Sequence, residues 1–275
     1  MPIKTIFVPL NDADGASASL GAALSLANTF DAAVDVVYLR ADPTESLGDF
    51  VGESVSPQLV EEVLTQAEKR GKDIAAKTRK AYDAAKAKAG SFKTTYREEQ
   101  GNADLAIETQ GRISDLIIVR RPRNARDAGT WVTAEVALMG TGRPVLVVPS
   151  KGTKKVGGNV AICWNGSIEA AKALSVAMPF LVRAKSVTVV SAHDGQPLDQ
   201  KGVLAYLARQ GVKAKGVNVK AGADTARSLG NAAKRAGADL VVMGAYTHSR
   251  VREMLFGGVT EHALTEATLP VLLVH

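Results

Sequence analysis

The feature that most constrains the fold of this chain is a pattern of strand, loop, helix and strand that occurs twice. Its second copy has an apolar strand over residues 239–244, a loop with the glycine pair Gly257–Gly258, and another apolar strand over residues 269–274. Its first copy has matching strands over residues 115–119 and 143–148 but lacks the glycine pair. We interpret the pattern as a duplicated domain with one half that is capable of binding a ligand and one half that is mainly structural.

The same order of elements extends through both halves of the chain. Apolar runs at residues 3–9 and 158–164 each lead through a polar turn into an alanine-rich helix, and strands and helices alternate after it. The apolar spacing predicts helices over residues 16–30, 58–89, 103–112 and 131–139 in the first half, and over 168–182, 198–210 and 225–236 in the second.

The length of the chain and a glycine-rich segment predict two domains. The chain has 275 residues, whereas one domain usually has ~100–200. Residues 150–158 are small, polar and rich in glycine, as expected of a linker. We therefore predict domains at residues 1–150 and 151–275.

Strands that alternate with helices predict an α/β fold. We expect two tandem five-stranded parallel sheets, each doubly wound with helices on both faces. Short aliphatic strands without polar alternation agree with sheets that are buried on both faces. Ligands of such sheets bind outside the carboxyl ends of the strands, where the strand order reverses. The candidate ligand-binding loops are therefore residues 163–167, 191–195 and 243–260.

The composition and charge of the chain exclude several classes of protein. Hydrophobic residues make up 46% and charged residues 23%, which is typical of a globular protein. The net charge is +6, but no aromatic residues lie among the basic ones to stack on bases, so we predict no nucleic-acid partner. We interpret the cluster at residues 120–126 as a solvated face, with binding of an anion or of acidic residues of a partner as alternatives.

The chain also lacks signals for membranes and secretion. No apolar run approaches the ~18 residues of a membrane-spanning helix, so we predict no membrane partner. The first residues do not have the pattern of a secretory signal, and Cys163 is the only cysteine. These observations predict a cytoplasmic protein with a buried, inert thiol.

Motifs of common enzyme classes are missing from the sequence. There is no G-x-x-x-x-G-K-[ST] loop, no G-x-G-x-x-G after the first strand and no G-x-S-x-G elbow. The pair His193–Asp194 follows a strand and is able to do acid–base work, but such residues more often form a polar turn. The four histidines lack metal-ligand spacing, so we predict no metal site and no catalytic residue.

The glycines at and after the end of the strand over residues 239–244 have a distinctive spacing. Two residues separate Gly244 from Thr247, and nine more separate Thr247 from the pair Gly257–Gly258. This resembles the motif of the universal stress protein family, in its tandem two-domain form: Gly, two residues, Gly, nine residues, Gly, then Ser or Thr. Thr247 stands at the second glycine and Gly258 at the Ser or Thr. The resemblance implies a Rossmann-like fold of the adenine-nucleotide alpha-hydrolase type and a binding or signalling role in the stress response.

The resemblance implies that ATP or AMP, if bound, lies in the second half. Nucleotide-binding members of the family hold phosphate on glycine N–H groups, and they hold adenosine with an aspartate whose position is Asn165 here. Glycines before a helix suit this role because unpaired N–H groups there form an anion-binding concavity. The expected cofactor-binding residues are Cys163, Trp164, Asn165, Met243, Gly244, Tyr246, Thr247, His248, Arg250, Gly257, Gly258, Val259 and Thr260, of which Thr260 alternatively caps the helix.

The first half departs from the motif at every important position. Arg120 replaces the first glycine, Pro122 removes an N–H donor, and Trp131 is bulky where the backbone would approach phosphate. We expect no ATP in this half. The resemblance also implies that the strands at 145–148 and 271–274 pair the two domains as an intramolecular pseudo-dimer, with a further homodimer left open.

Two alternatives to nucleotide binding by a stress protein remain. One is a protein-interaction module that works without nucleotide, which the departures at Asn165, Thr247 and Gly258 favour. The other is a weak ATPase, although no residue stands out as a general base. A binding protein is therefore expected rather than an enzyme.

Overall fold

The structure is a computed structural model, and it describes residues 2–13, 15–44, 47, 56–88, 93–123, 127–153, 155–222, 224–245, 262–264 and 266–275. The strands of the first half are β1 (Thr5–Leu10), β2 (Ala33–Arg40), β3 (Thr94–Gln100), β4 (Leu116–Arg120) and β5 (Val145–Val148). Its helices are α1 (Ala16–Phe30), α2 (Pro57–Ala87), α3 (Ala103–Arg112) and α4 (Ala128–Gly140).

The second half repeats this order of elements. Its strands are β6 (Asn159–Cys163), β7 (Ser186–His193), β8 (Ala214–Lys220), β9 (Leu240–Gly244) and β10 (Val271–Val274). Its helices are α5 (Ile168–Val176), α6 (Met178–Leu181), α7 (Lys201–Arg209) and α8 (Thr225–Arg235), and residues 262–264 are also helical.

The strands of both halves join into one sheet, with the order β3-β2-β1-β4-β5-β10-β9-β6-β7-β8. Neighbouring strands within each half are parallel, as expected. The halves meet where β10 pairs antiparallel with β5, with Leu272 opposite Leu146. The predicted α/β fold is confirmed, and its two five-stranded sheets form one continuous sheet.

Helices cover both faces of this sheet and bury two layers of side chains. Successive residues of β4 illustrate the arrangement, since Ile117 belongs to one buried layer and Ile118 to the other. Phe30 of α1 and Phe180 of α6 meet edge to face, with ring centroids 5.0 Å apart, so the two halves also touch through their helices. No helix among the described residues is long and apolar enough to cross a membrane.

Two features of the elements differ from the sequence prediction. The edge strands β3 and β8 alternate between half-buried and exposed residues, rather than being buried on both faces. Their charged side chains suit an edge that has only one neighbouring strand. The helix expected over residues 168–182 is divided at Ala177 into α5 and α6, and Pro179, which has no N–H to donate, lies just after the break.

Candidate functional site

The candidate site of the second half lies at the carboxyl ends of β6 and β9. These strands are neighbours, although β7 and β8 come between them in the chain. The strand order therefore reverses between them, which is where ligands bind in sheets of this kind. The strands end at Cys163 and Gly244, two of the residues expected from the sequence.

Gly244 lies against the first turn of α5. A Cβ placed on Gly244 would be 2.5 Å from the carbonyl carbon of Glu169 and 2.8 Å from the backbone nitrogen of Ala170. Carbon atoms do not approach backbone atoms so closely without a shift of the helix. The glycine is thus required by the packing of β9 on α5, and it leaves the end of this strand without a side chain.

Asn165 occupies an exposed turn between β6 and α5. Its side-chain Oδ1 accepts a hydrogen bond from the backbone N–H of Ser167 at 3.1 Å, and Gly166 between them has a φ of +77°. Ser167 then caps α5, because its Oγ accepts from the backbone N–H of Ala170 at 3.1 Å. One acceptor position of the Asn165 amide is used by this turn, which leaves a second acceptor position and the NH2 group.

Cys163 and Met243 face the opposite side of the sheet from Trp164. They line a cavity of about 270 Å³ between α8 and the residues 262, 263 and 266–269. Trp164 packs against the buried layer on the α5 side, because adjacent strand residues point to opposite faces. Burial raises the pKa of the Cys163 thiol to about 12, so the thiol stays protonated at neutral pH. The expected residues are therefore divided between two faces of the sheet.

The other expected residues of the site fall outside the described part of the chain. These are Tyr246, Thr247, His248, Arg250, Gly257, Gly258, Val259 and Thr260. Among the described residues, no three His, Cys, Asp or Glu side chains come close enough together to hold a metal ion.

Arg120 occupies the equivalent position in the first half. It ends β4 opposite Val148, just as Gly244 ends β9 opposite Val274. The Arg120 side chain reaches the start of α1, where a Cβ placed on Gly15 would be only 1.9 Å from its Cδ. A large cation therefore stands at the strand end where the second half has a glycine.

The guanidinium of Arg120 is held by a buried network. It pairs with Asp12 and with Asp127, the latter at 2.7 Å, and it donates to the Thr130 hydroxyl at 2.6 Å. Its side chain is only 5% exposed. Burial by itself would raise the pKa of Asp127, but hydrogen bonds from Arg120 and from the backbone N–H of Arg123 lower it to about 2.

The interpretation of residues 120–126 as a solvated face is wrong for Arg120 and Arg121. Both are buried, with 5% and 6% of their surface exposed. Only Arg123, whose side chain is 46% exposed, agrees with it, and residues 124–126 are not described. The missed signal is that Arg120 follows four aliphatic residues of β4, because a cation at the end of a buried strand requires anionic partners.

A wide cleft of about 900 Å³ lies beside this network at the carboxyl end of the first half. Its lining carries the carboxylates of Asp12, Asp42, Asp104 and Asp127. Arg70 also lines the cleft, and the Asp12 and Asp127 carboxylates are paired with Arg120.

Comparison with known proteins agrees with this architecture. Residues 193–275 match the model of the universal stress protein family. The whole chain is similar to the structure of a universal stress protein from Archaeoglobus fulgidus, with 13% identity, a TM-score of 0.67 and coverage of 98% of this chain and 95% of that one. A functionally unknown protein from Pseudomonas aeruginosa has 16% identity, a TM-score of 0.57 and coverage of 99% and 92%.

No curated protein sequence matches the chain. At these identities the two solved structures show the fold alone, whereas the family match concerns most of the second half. The resemblance to the universal stress protein family is confirmed by the family match for residues 193–275, and the solved structures show the same fold over the chain as a whole.

Proposed function

We propose that this protein acts in the stress response as a binding or signalling protein and that its second half binds an adenine nucleotide, ATP or AMP. The observation that carries the proposal is the bare end of β9 at Gly244, where the strand order reverses. The first half has Arg120 at that position, so the two halves differ at the point where a ligand would bind.

The described residues of the second half are compatible with such a ligand. Gly244 adds no side chain at the carboxyl edge, and Asn165 keeps an acceptor position and an NH2 group for the adenosine. Glu169 lies in the first turn of α5 and disfavours phosphate there. We therefore assign the phosphates to the backbone of Gly257 and Gly258, following the family motif. When bound, the nucleotide supplies negative charge at this edge of the sheet.

We also propose that the chain consists of two domains that pair with each other. We place the domain boundary between residues 150 and 151, because β5 ends at Val148 and β6 begins at Asn159. The pairing of β5 with β10 then makes one chain equivalent to a dimer of single domains. A cytoplasmic location is part of the proposal, since Cys163 has no second cysteine with which to form a disulfide.

Calorimetric titration of ATP and AMP into protein freed of co-purified nucleotide tests the proposal. We expect binding at one site per chain. Asn165→Ala should weaken it by about tenfold, the effect of losing roughly 1.4 kcal/mol. Asn218→Ala is a matched control, because Asn218 lies on the distant edge strand β8 and also bonds to the backbone. Absence of heat at millimolar nucleotide would refute nucleotide binding.

One observation favours the alternative of an interaction module that works without nucleotide. The amide oxygen of Asn165 already accepts from Ser167, so the turn is stable without a ligand. Mass spectrometry of the supernatant from heat-denatured protein separates the two functions. A peak of ATP or AMP contradicts the alternative.

A further inference from the structure

Arg121 connects the two halves of the chain through its side chain, beside the end of the β5–β10 pairing. It follows β4 in the first half and is 6% exposed. Its Nη2 donates to the carbonyl of Leu269 at 3.0 Å, and its Nε donates to the carbonyl of Ala263 at 3.3 Å. Both carbonyls belong to the second half, in the segment that leads from the last helical residues into β10.

The carbonyl of Ala263 lies at a helix end that requires a donor. The backbone N–H groups of Glu266 and Ala267 both bond to the carbonyl of His262, so the helix ends in this turn. The last carbonyls of a helix have no partner within the helix and carry partial negative charge. The guanidinium of Arg121 therefore acts as a C-terminal cap.

The first half caps the equivalent carbonyl in a different way. Val145 begins β5, and Val271 begins the matching strand β10. Counting back from these two residues, Ala137 corresponds to Ala263 and Thr141 corresponds to Ala267. The hydroxyl of Thr141 donates to the carbonyl of Ala137. Ala267 has no hydroxyl, so the second half lacks this internal cap.

The residue of the second half that is equivalent to Arg121 makes no reciprocal side-chain hydrogen bond. Arg121 comes directly after β4, and the residue directly after β9 is Ala245, whose methyl group is unable to donate a hydrogen bond. The first half thus caps its own last helix and also that of the second half. The cap is charged at neutral pH, because burial lowers the pKa of Arg121 only to about 10.

We propose that Arg121 is a positioning residue: it caps the last helix of the second half from the first half, and so makes ligand binding by the second half depend on the first. His262, Ala263 and residues 266–269 form one wall of the cavity of about 270 Å³, so the cap also fixes that wall relative to the sheet. The dependence of ligand binding on Arg121 rests on the proposed function, which assigns the phosphates to Gly257 and Gly258. These glycines come shortly before this helix in the sequence. The cap itself rests only on the described contacts.

The test compares Arg121→Met with a matched control, Arg143→Met. Methionine keeps much of the side-chain volume but donates no hydrogen bond. Arg143 makes the same kind of contact within the first half, where its Nε and Nη2 both donate to the carbonyl of Arg112. Hydrogen exchange of the Glu266 amide reports the helix end directly. We expect Arg121→Met to speed this exchange by about tenfold or more, because bonds from a charged donor are lost, and Arg143→Met to leave it unchanged.

A rescue variant separates the cap from general stability. Adding Ala267→Thr to Arg121→Met gives the second half the hydroxyl that the first half uses, and it should restore slow exchange at Glu266. The affinity for ATP, measured by calorimetry, should fall by about tenfold in Arg121→Met and recover in the double variant. Arg121→Lys, which keeps the charge but not both bonds, gives a second variant should Arg121→Met fail to fold.

Failure of the proposed function and failure of the positioning role give different results in these experiments. If the wild-type protein binds no ATP, the proposed function is overturned, and the exchange of Glu266 alone decides whether Arg121 caps the helix. If ATP binds but Arg121→Met changes neither exchange nor affinity, the positioning role is overturned. An equal effect of Arg143→Met at Glu266 also overturns it, because the change then reflects general destabilisation.

Discussion

Replacement of Asp127 by asparagine tests the buried network that closes the first half. The Asp127 carboxylate is 18% exposed and accepts from Arg120 at 2.7 Å. Its pKa falls from the ordinary value of 3.8 to about 2 in the folded protein. That shift corresponds to about 2 kcal/mol of the free energy of unfolding, at about 1.36 kcal/mol per unit. We expect Asp127→Asn to lose about this amount at pH 7, because the amide bonds to Arg120 without a charge.

The contribution of Asp127 to the free energy of unfolding should fall as the pH falls. Because the folded pKa of Asp127 is lowered, its contribution is present above the unfolded pKa near 3.8 and is lost as the pH falls through the folded pKa near 2. The deficit of Asp127→Asn should therefore be full at pH 7, reduced to about half at pH 3, and absent only below the folded pKa.

Urea denaturation of the wild type and the variant at pH 7, 5, 4 and 3 measures this deficit. Asp83→Asn is the control, because Asp83 pairs with Arg79 on the surface of α2, where both side chains are more than half exposed. An exposed pair contributes about 0–1 kcal/mol. The network would not have the assigned role if both variants lost the same free energy at pH 7. A deficit that stays constant down to pH 3 would likewise contradict the electrostatic account.

Three further substitutions probe the second half and the junction between the halves. Asn165→Asp should tighten ATP binding by up to about tenfold in calorimetry, because a charged acceptor strengthens a hydrogen bond; unchanged affinity argues against a role in binding. Gly244→Ala should lower the free energy of unfolding by about 1–3 kcal/mol, measured with denaturant, because its methyl group meets α5. The control Gly202→Ala should be neutral or stabilising, because its methyl group meets nothing within 4 Å. Leu272→Ala, in the buried ladder between β5 and β10, should cost about 2–5 kcal/mol in the same assay, and a smaller loss would argue that the junction is loosely packed.

Much of the fold was predictable because the chain carries strong local signals. Helices α1 and α3 have the bounds predicted from apolar spacing, and the start of α3 is marked by Asn102, whose side chain accepts from the backbone N–H of Leu105. Gly237, just after the cap of α8, has a positive φ of +70°, which is typical of a glycine that follows a helix end. The pairing of β5 with β10 followed from the family resemblance and not from any local pattern.

The sequence around the arginines shows only part of their role. A cluster of basic residues in a loop usually indicates a solvated surface, and some of the partners that change this are distant in the chain, although Asp127 is only seven residues from Arg120. Asp12 precedes Arg120 by 108 positions, and Ala263 follows Arg121 by 142. Burial of these two residues is therefore a property of the folded sheet, which brings the ends of separate strands to one edge.

The two arginines give the halves of the chain different properties at a single place in the fold. Arg120 and Arg121 stand where the second half has Gly244 and Ala245. The first of them joins two carboxylates and fills the edge of its own half, so that half is held together without a ligand. The second caps a helix of the other half. That half has small residues at this edge, and it has Ala267 where the first half has the capping residue Thr141. The residue beside the arginine that fills the edge of the first half therefore also contacts the second half, in which the described end of β9 carries only Gly244 and Ala245.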